Sequence, residues 1–212
     1  MKYKGIVFDL DGVICSTDHY HYLAWKALAD RLGIYFDESI NNRLRGVSRM
    51  ASLDIVLERY DGTLSAEEKL AAAEEKNDTY RALLRQMSPA DLSDEVKQTL
   101  DALRAKGLLL GIGSSSKNTK FILERIGLGD YFDKISDGTN ITRSKPDPEV
   151  FLKAAEYLAL APRDCLVVED AVAGIQAAHA AGMDAAAIGD AVSGGLAEYN
   201  LGSFSDLLRC VD

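Results

Sequence analysis

A chain of 212 residues with 47% hydrophobic and 27% charged side chains has the composition of a globular protein, long enough for one large domain or two small ones. Its formal net charge of −9 argues against a nucleic-acid or membrane-surface partner, both of which need a basic face, and no stretch nears the roughly 18 apolar residues of a membrane span. Cys15, Cys165 and Cys210 are widely spaced and form no CxxC, which excludes a disulfide framework and a zinc site; the short apolar run at the N-terminus is no signal peptide, so a cytoplasmic protein is expected.

Residues 5–8, Gly-Ile-Val-Phe, form a short apolar run that suits a strand buried on both faces of a parallel sheet, and it ends in Asp9-Leu10-Asp11-Gly12. From 16 to 88 only helical periodicity is visible, over 19–32, 38–44, 49–60 and 65–86, the last opened by the capping box Ser65-Ala66-Glu67-Glu68. Segment 94–106 is an amphipathic helix with Val96, Leu100 and Leu103 on one face, Ser93 as N-cap and Gly107 as its stop. A strand over 108–112 runs into Gly113-Ser114-Ser115-Ser116, and a helix over 117–126 stops at Gly127. Asp147-Pro148 opens a helix that runs to about Leu160. A strand over 165–168, with Cys165 as a core thiol, ends in Glu169-Asp170; a helix over 171–181 stops at Gly182; a strand over 185–188 ends in Gly189-Asp190. Beyond 190 the pattern reads as loops with a short closing helix near 205–210.

Strand alternating with helix predicts βαβ units, hence an α/β fold with a doubly wound, Rossmann-like parallel sheet over 1–15 and 89–212, interrupted by an all-helical second domain over 16–88. Ligands of such sheets lie outside the carboxyl ends of the strands, which brings Asp9, Ser114 and Glu169-Asp170 to one edge.

Each of these pieces has a chemical reading and a plainer one. In an extended segment Asp9 and Asp11 point the same way. One carboxylate then attacks phosphorus while the other moves the proton of the leaving or entering oxygen; the pair equally reads as a turn after a strand. Asp9, Asp11, Glu169 and Asp170 supply the oxygen ligands that Mg²⁺ prefers, yet Asp170 also reads as the cap of the following helix. Lys145, in Ser144-Lys145-Pro146-Asp147-Pro148, balances the charge of carboxylates and phosphate if the flanking prolines hold it extended and stiff; otherwise it is a solvated lysine. Ser114, Ser115, Ser116, Lys117 and Asn118 join a strand end to a helix start, where hydroxyls and free amides bind phosphate oxygens or merely cap the helix.

Together and in this order, Asp9-Leu10-Asp11-Gly12, Ser114, Lys145 and Glu169-Asp170 resemble the haloacid dehalogenase superfamily of phosphotransferases over nearly the whole chain. The dehalogenases themselves lack the second aspartate that Asp11 provides. The resemblance implies catalysis by Asp9, Asp11, Ser114 and Lys145, and Mg²⁺ as cofactor, held by Asp9, Asp11, Glu169 and Asp170. It makes the helical block the cap domain that the family inserts after its first strand.

Arg45-Gly46-Val47-Ser48-Arg49, His21 within Tyr20-His21-x-x-Ala24-Trp25, Lys76-Asn77 and Ser116-Lys117-Asn118 are similar to the β-phosphoglucomutase branch. That likeness implies small sugar phosphates as substrates, bound by Gly46, Val47, Arg49, Lys76, Asn77, Ser115, Ser116, Lys117 and Asn118. It adds His21, beside the acid/base, and Thr17, beside the hinge, to the catalytic residues, in a monomer that converts β-glucose 1-phosphate to glucose 6-phosphate through a bisphosphate. Arg49 and Lys76 otherwise read as solvated helix residues, and His21 as an ordinary polar-face histidine. Cys15, Ser16 and Ala171 depart from the family pattern, where threonine, aspartate and serine are common. A sugar-phosphate phosphatase is the alternative within the superfamily, and a non-catalytic phosphosugar-binding protein the alternative outside it; the full acid set argues against the latter.

Overall fold

A computed structural model describes residues 2–44 and 47–211. The helices, in chain order, are α1 (Asp18–Leu32), α2 (Glu38–Asn42), α3 (Arg49–Val56), α4 (Ala66–Leu84), α5 (Asp94–Ala105), α6 (Thr119–Arg125), α7 (Glu149–Tyr157), α8 (Val172–Ala180) and α9 (Leu207–Cys210). The strands are β1 (Gly5–Phe8), β2 (Leu109–Gly113), β3 (Lys134–Ser136), β4 (Cys165–Glu169), β5 (Asp184–Ala187) and β6 (Tyr199–Asn200). The chain divides into two compact units, residues 1–16 with 88–212, and residues 17–87.

The first unit is built on one six-stranded sheet in the order β3-β2-β1-β4-β5-β6, with every neighbouring pair parallel. The order runs outward in both directions from β1, which is the doubly wound Rossmann arrangement, and its topological switch point lies between β1 and β4. The apolar run at the start of the chain supplies the central strand because both faces of that strand are covered: Ile6, Val7 and Phe8 are fully buried. Val7 packs with Val167, Ala185 and Ala187 against Val150, Phe151 and Ala154 of α7 and Ile175 and Ala178 of α8. Phe8, pointing the other way, stacks on Phe204 and meets the edge of Phe132, with ring centroids 5.9 and 6.1 Å apart. The turn carrying Phe204 packs in its turn on α5. Burying one such aromatic contributes about 1.5–3 kcal/mol.

Several boundaries move. β3 and β6 are absent from the sequence reading, because they are edge strands of three and two residues without an apolar run. β2 starts one residue later, since Leu108 N still donates to Leu103 O at the end of α5. α7 ends at Tyr157 rather than Leu160: the chain reverses at Ala159, an alanine in the left-handed region (φ 56°) that no glycine announces. The segment around Lys145 is a turn, not an extended stretch. Asp147 N donates to Ser144 O at 3.1 Å across a cis Lys145–Pro146 peptide.

The second unit is all helix. Trp25, Leu28 and Ala29 of α1, Ile40 of α2, Leu53 and Val56 of α3, and Ala72 and Ala73 of α4 form its core. α3 gives way after Val56 to a short 3₁₀ turn, Leu57–Arg59. The Ser65–Glu68 box opens α4 in both directions, with bonds of 2.7 and 3.2 Å. Among the described residues no helix is long and apolar enough to cross a membrane.

Candidate active site

The switch point of the sheet gathers four charged side chains. Asp9 is the first residue beyond β1, and its amide donates to Val168 O of β4 at 2.9 Å. Glu169 is the last residue of β4. The turn before α7 delivers Lys145, whose ammonium lies 2.5 Å from Asp9 Oδ1 and also donates to Glu169 Oε1. This lysine is not solvated: its side chain is 6% exposed. Burial works against the ammonium, but the carboxylates of Asp9 and Glu169 outweigh it and hold the Lys145 pKa above its ordinary value.

Glu169 also folds back on the start of α8, where its Oε2 accepts from the amides of Asp170 and Ala171 at 3.1 and 3.2 Å. The helix-capping alternative for Asp170 therefore falls. The N-cap position is Ala171, which offers no side-chain bond, and Glu169 receives the amides of Asp170 and Ala171 just ahead of the helix. Two glycines make room for this packing. A Cβ on Gly174 would stand 1.9 Å from the Glu169 carboxyl carbon, and one on Gly12, already at φ +83°, would stand 2.0 Å from Asp170 Oδ2.

Carboxylate oxygens of Asp9, Glu169 and Asp170 lie within 4.8 Å of one another. Burial, and after it the charges of Asp9, Glu169 and Asp11, push the Asp170 carboxyl up to about 8, and burial raises Glu169 as well. Three crowded acids against one lysine leave an excess of negative charge, and their all-oxygen donor set suits a hard divalent cation such as Mg²⁺. Asp11, counted among the ligands from the sequence, does not place a carboxylate oxygen in that trio. β1 ends at Phe8 and the backbone turns through Gly12, so strand alternation does not carry past Asp9. The Asp11 carboxylate is near enough to act on Asp170 through its charge.

Beyond β2, Ser114 is buried and its amide donates to Ser136 O of β3 at 3.1 Å. Its Oγ accepts from Ser116 N at 3.2 Å, and Ser116 Oγ accepts from Asn118 N at 3.1 Å. The serines thus build a turn ahead of α6 rather than cap it, and Asn118, the N-cap by position, makes no side-chain cap bond. The Ser115 hydroxyl is buried without a hydrogen-bond partner. Lys117 is exposed and Asn118 buried. Sequence reasoning missed Gly138, whose amide donates to Ser116 O at 3.0 Å and whose missing side chain lets the loop after β3 lie against this turn: a Cβ there would stand 2.4 Å from Ser115 O.

In the helical unit, Lys76 of α4 is buried rather than solvated. Its ammonium lies 2.8 Å from His21 Nδ1, and 4.7 and 4.6 Å from the ring centroids of Trp25 and Tyr80. His21 stacks on Tyr80 at 4.0 Å, so it is no ordinary surface histidine. Burial first, then the charges of Lys76 and Arg49, hold its pKa well below the usual value. The neutral ring accepts a hydrogen bond from the lysine ammonium at Nδ1. Tyr80 OH donates to the buried Thr17 Oγ1 at 2.9 Å.

Arg49 opens α3 behind Ser48, whose Oγ caps the helix at Ala51 N; its guanidinium donates to Asn77 Oδ1 at 2.8 Å. Val47 is exposed, and Arg45 and Gly46 lie outside the described residues. The aromatic walls around Lys76 were legible in principle. Trp25 follows His21, and Tyr80 follows Lys76, by one helical turn.

The haloacid dehalogenase-like hydrolase family model matches residues 3–182. The β-phosphoglucomutase of Bacillus subtilis (strain 168) is 42% identical over 192 residues, covering 88% of this chain and 83% of that protein. The fructose-1-phosphate phosphatase of Escherichia coli (strain K12) is 34% identical over 185 residues, covering 87% and 95%. Among solved structures, the β-phosphoglucomutase of Clostridium difficile superposes with a TM-score of 0.90 at 37% identity, over 97% of this chain and 93% of that one. The switch-point site and these likenesses agree: the chain is an enzyme of the haloacid dehalogenase-like hydrolase family.

Proposed function

We propose that the protein is a sugar-phosphate mutase that carries the phosphoryl group on Asp9. The observation behind the chemistry is the Asp9–Lys145–Glu169–Asp170 group at the switch point. A carboxylate oxygen of Asp9 attacks phosphorus, the bond from phosphorus to the sugar oxygen breaks, and Asp11 gives that oxygen its proton. In the return step Asp11 takes the proton of an attacking sugar hydroxyl, and phosphorus leaves Asp9. Lys145 balances the charge that gathers on the acyl phosphate, and the Ser114–Asn118 turn offers amides and hydroxyls to phosphate oxygens. Mg²⁺ bound by Asp9, Glu169 and Asp170 would supply positive charge against the phosphoryl oxygens.

Mutase rather than phosphatase is supported by the cations of the helical unit. A phosphatase needs one phosphate and a water; a mutase also grips the end of the sugar that does not react. Arg49, aligned by Asn77, and the buried Lys76 suit that task, with a forked guanidinium for a phosphate and an ammonium for sugar oxygens. The 42%-identical relative is named β-phosphoglucomutase, which supports this reading; the substrate proposed is β-glucose 1-phosphate and the product glucose 6-phosphate. A sugar-phosphate phosphatase is the second reading, favoured by the relative named for fructose 1-phosphate. A coupled assay for glucose 6-phosphate, with β-glucose 1-phosphate, Mg²⁺ and a trace of bisphosphate, run beside a phosphate-release assay, separates them. Faster phosphate release at saturating sugar rejects the mutase and retains the phosphatase.

A further inference from the structure

The buried lysine of the site hangs from a turn, and a flexible four-carbon stem reaches two carboxylates together only if its own backbone is held. Glu149, the first residue of α7, is bonded where such a hold is needed. Its Oε2 accepts from Thr142 N at 3.0 Å, Thr142 Oγ1 at 2.9 Å and Arg143 N at 2.9 Å. Its Oε1 takes the ammonium of Lys153, one helical turn on, at 2.9 Å, and Lys153 also donates to the carbonyl of Asn140. The Arg143 guanidinium stands 3.7 Å from Oε2. An acid that merely answered the dipole of α7 would face the amides of its own first turn. This one reaches back six and seven residues, and it closes a ring of chain from Thr142 to Glu149 with Lys145 inside.

We propose that Glu149 is the positioning residue of this site: its carboxylate fixes the backbone of residues 142–145 so that the Lys145 ammonium meets Asp9 and Glu169 at once. The proposal rests on the reading of Asp9 and Lys145 as the phosphoryl-transfer pair, and it adds the element that sets their distance. The bond from Lys153, followed by the backbone bonds, holds the Glu149 carboxyl at about 2, so it remains a charged acceptor throughout the working range of pH.

The test reads Lys145 itself. Wild-type protein with Mg²⁺ is treated briefly with an amine-acylating reagent, and labelling of Lys145 is followed by peptide mass spectrometry, with amide hydrogen exchange of buried β4 as the control for global opening. Glu149→Ala removes the three bonds at Oε2 and the Lys153 ion pair at Oε1, and should label Lys145 roughly ten- to hundredfold faster while β4 stays protected. Glu149→Gln keeps an oxygen for the same amides and should stay within about threefold of wild type. Thr142→Val deletes one contact, leaves α7 untouched, and should give a smaller rise; it carries the test if the alanine variant does not fold. Unchanged labelling in Glu149→Ala or Thr142→Val overturns the proposal. So does Lys145 labelling that rises only together with β4 exchange, and so does a glutamine variant as labile as alanine. No turnover is needed: an enzyme inactive on sugar phosphates still shows the hold on Lys145, and catalysis lost with labelling unchanged sinks the positioning role alone.

Discussion

Asp170→Asn should make the metal-free protein more stable while it destroys the enzyme. The Asp170 carboxyl is raised from 3.8 to about 8, first by burial and then by the charges of Asp9, Glu169 and Asp11. Between those two values the folded protein holds a proton that the unfolded chain has released. Stability from this group is therefore complete below about pH 4 and is lost as pH rises through about 8. A shift of about four units caps the loss near 5–6 kcal/mol, and relaxation and water entry reduce it, so on the order of 2–4 kcal/mol is expected at pH 7. An asparagine has the shape of the neutral acid and escapes this loss. For a chain of this size the difference raises the melting temperature by roughly 5–15 °C. The assay is thermal unfolding between pH 5 and 8 in excess chelator: wild type should fall with pH more steeply than Asp170→Asn, which keeps the fall due to Glu169, and the gap should widen. Added Mg²⁺ should stabilise wild type and leave the variant unchanged. A variant that is less stable than wild type at every pH would refute the reasoning, because Asp170 would then make a favourable contact rather than bear a repulsive one.

Three further outcomes follow from the same geometry. Gly174→Ala should cost about 1–3 kcal/mol and raise the Mg²⁺ requirement, since a Cβ 1.9 Å from the Glu169 carboxyl carbon displaces that side chain; denaturant unfolding and a metal titration of activity check both. The His21 ring should show no NMR titration midpoint near the ordinary 6.5, because burial and the cations Lys76 and Arg49 hold it neutral there. Its depressed pKa makes its contribution complete above about 6.5 and lost only as pH falls through the lower folded value. Arg49→Ala should raise the ratio of hydrolysis to transfer and weaken bisphosphate binding roughly ten- to hundredfold, with Arg49→Lys a partial rescue; paired phosphate-release and mutase assays check it.

The parts of the fold that were legible in the sequence are those where one physical demand dominates. β1 and β4 are covered on both faces and so are written as unbroken apolar runs, and the acids that end them stand out against them. Gly107, Gly127 and Gly182 mark helix ends because each adopts a positive φ. β3 and β6 are too short to carry a pattern, and the left-handed Ala159 breaks the rule that would have ended α7 correctly. In the site, residue type foretold charge but not direction. Asp11 sits two residues from Asp9, yet the turn at Gly12 keeps its carboxylate out of the acid trio. Lys76 looks solvated within a charged helix, but Tyr80, one turn on, and Trp25 of α1 flank its ammonium and the side chain is buried. Glu149 carries no sequence signal beyond an acid at a helix start; its reach back to Thr142 and Arg143 belongs to the loop's path.

The account stands most directly on a phosphoryl group at Asp9. Wild-type protein incubated with Mg²⁺ and an acyl-phosphate donor, quenched in acid and digested, should yield a single phosphorylated peptide spanning β1, with the modification on Asp9 and sensitive to hydroxylamine. Asp9→Asn should remain folded, carry no phosphate and show no turnover. A phosphorylated Asp9→Asn protein, a modification on any other residue, or full activity without Asp9 would contradict the account.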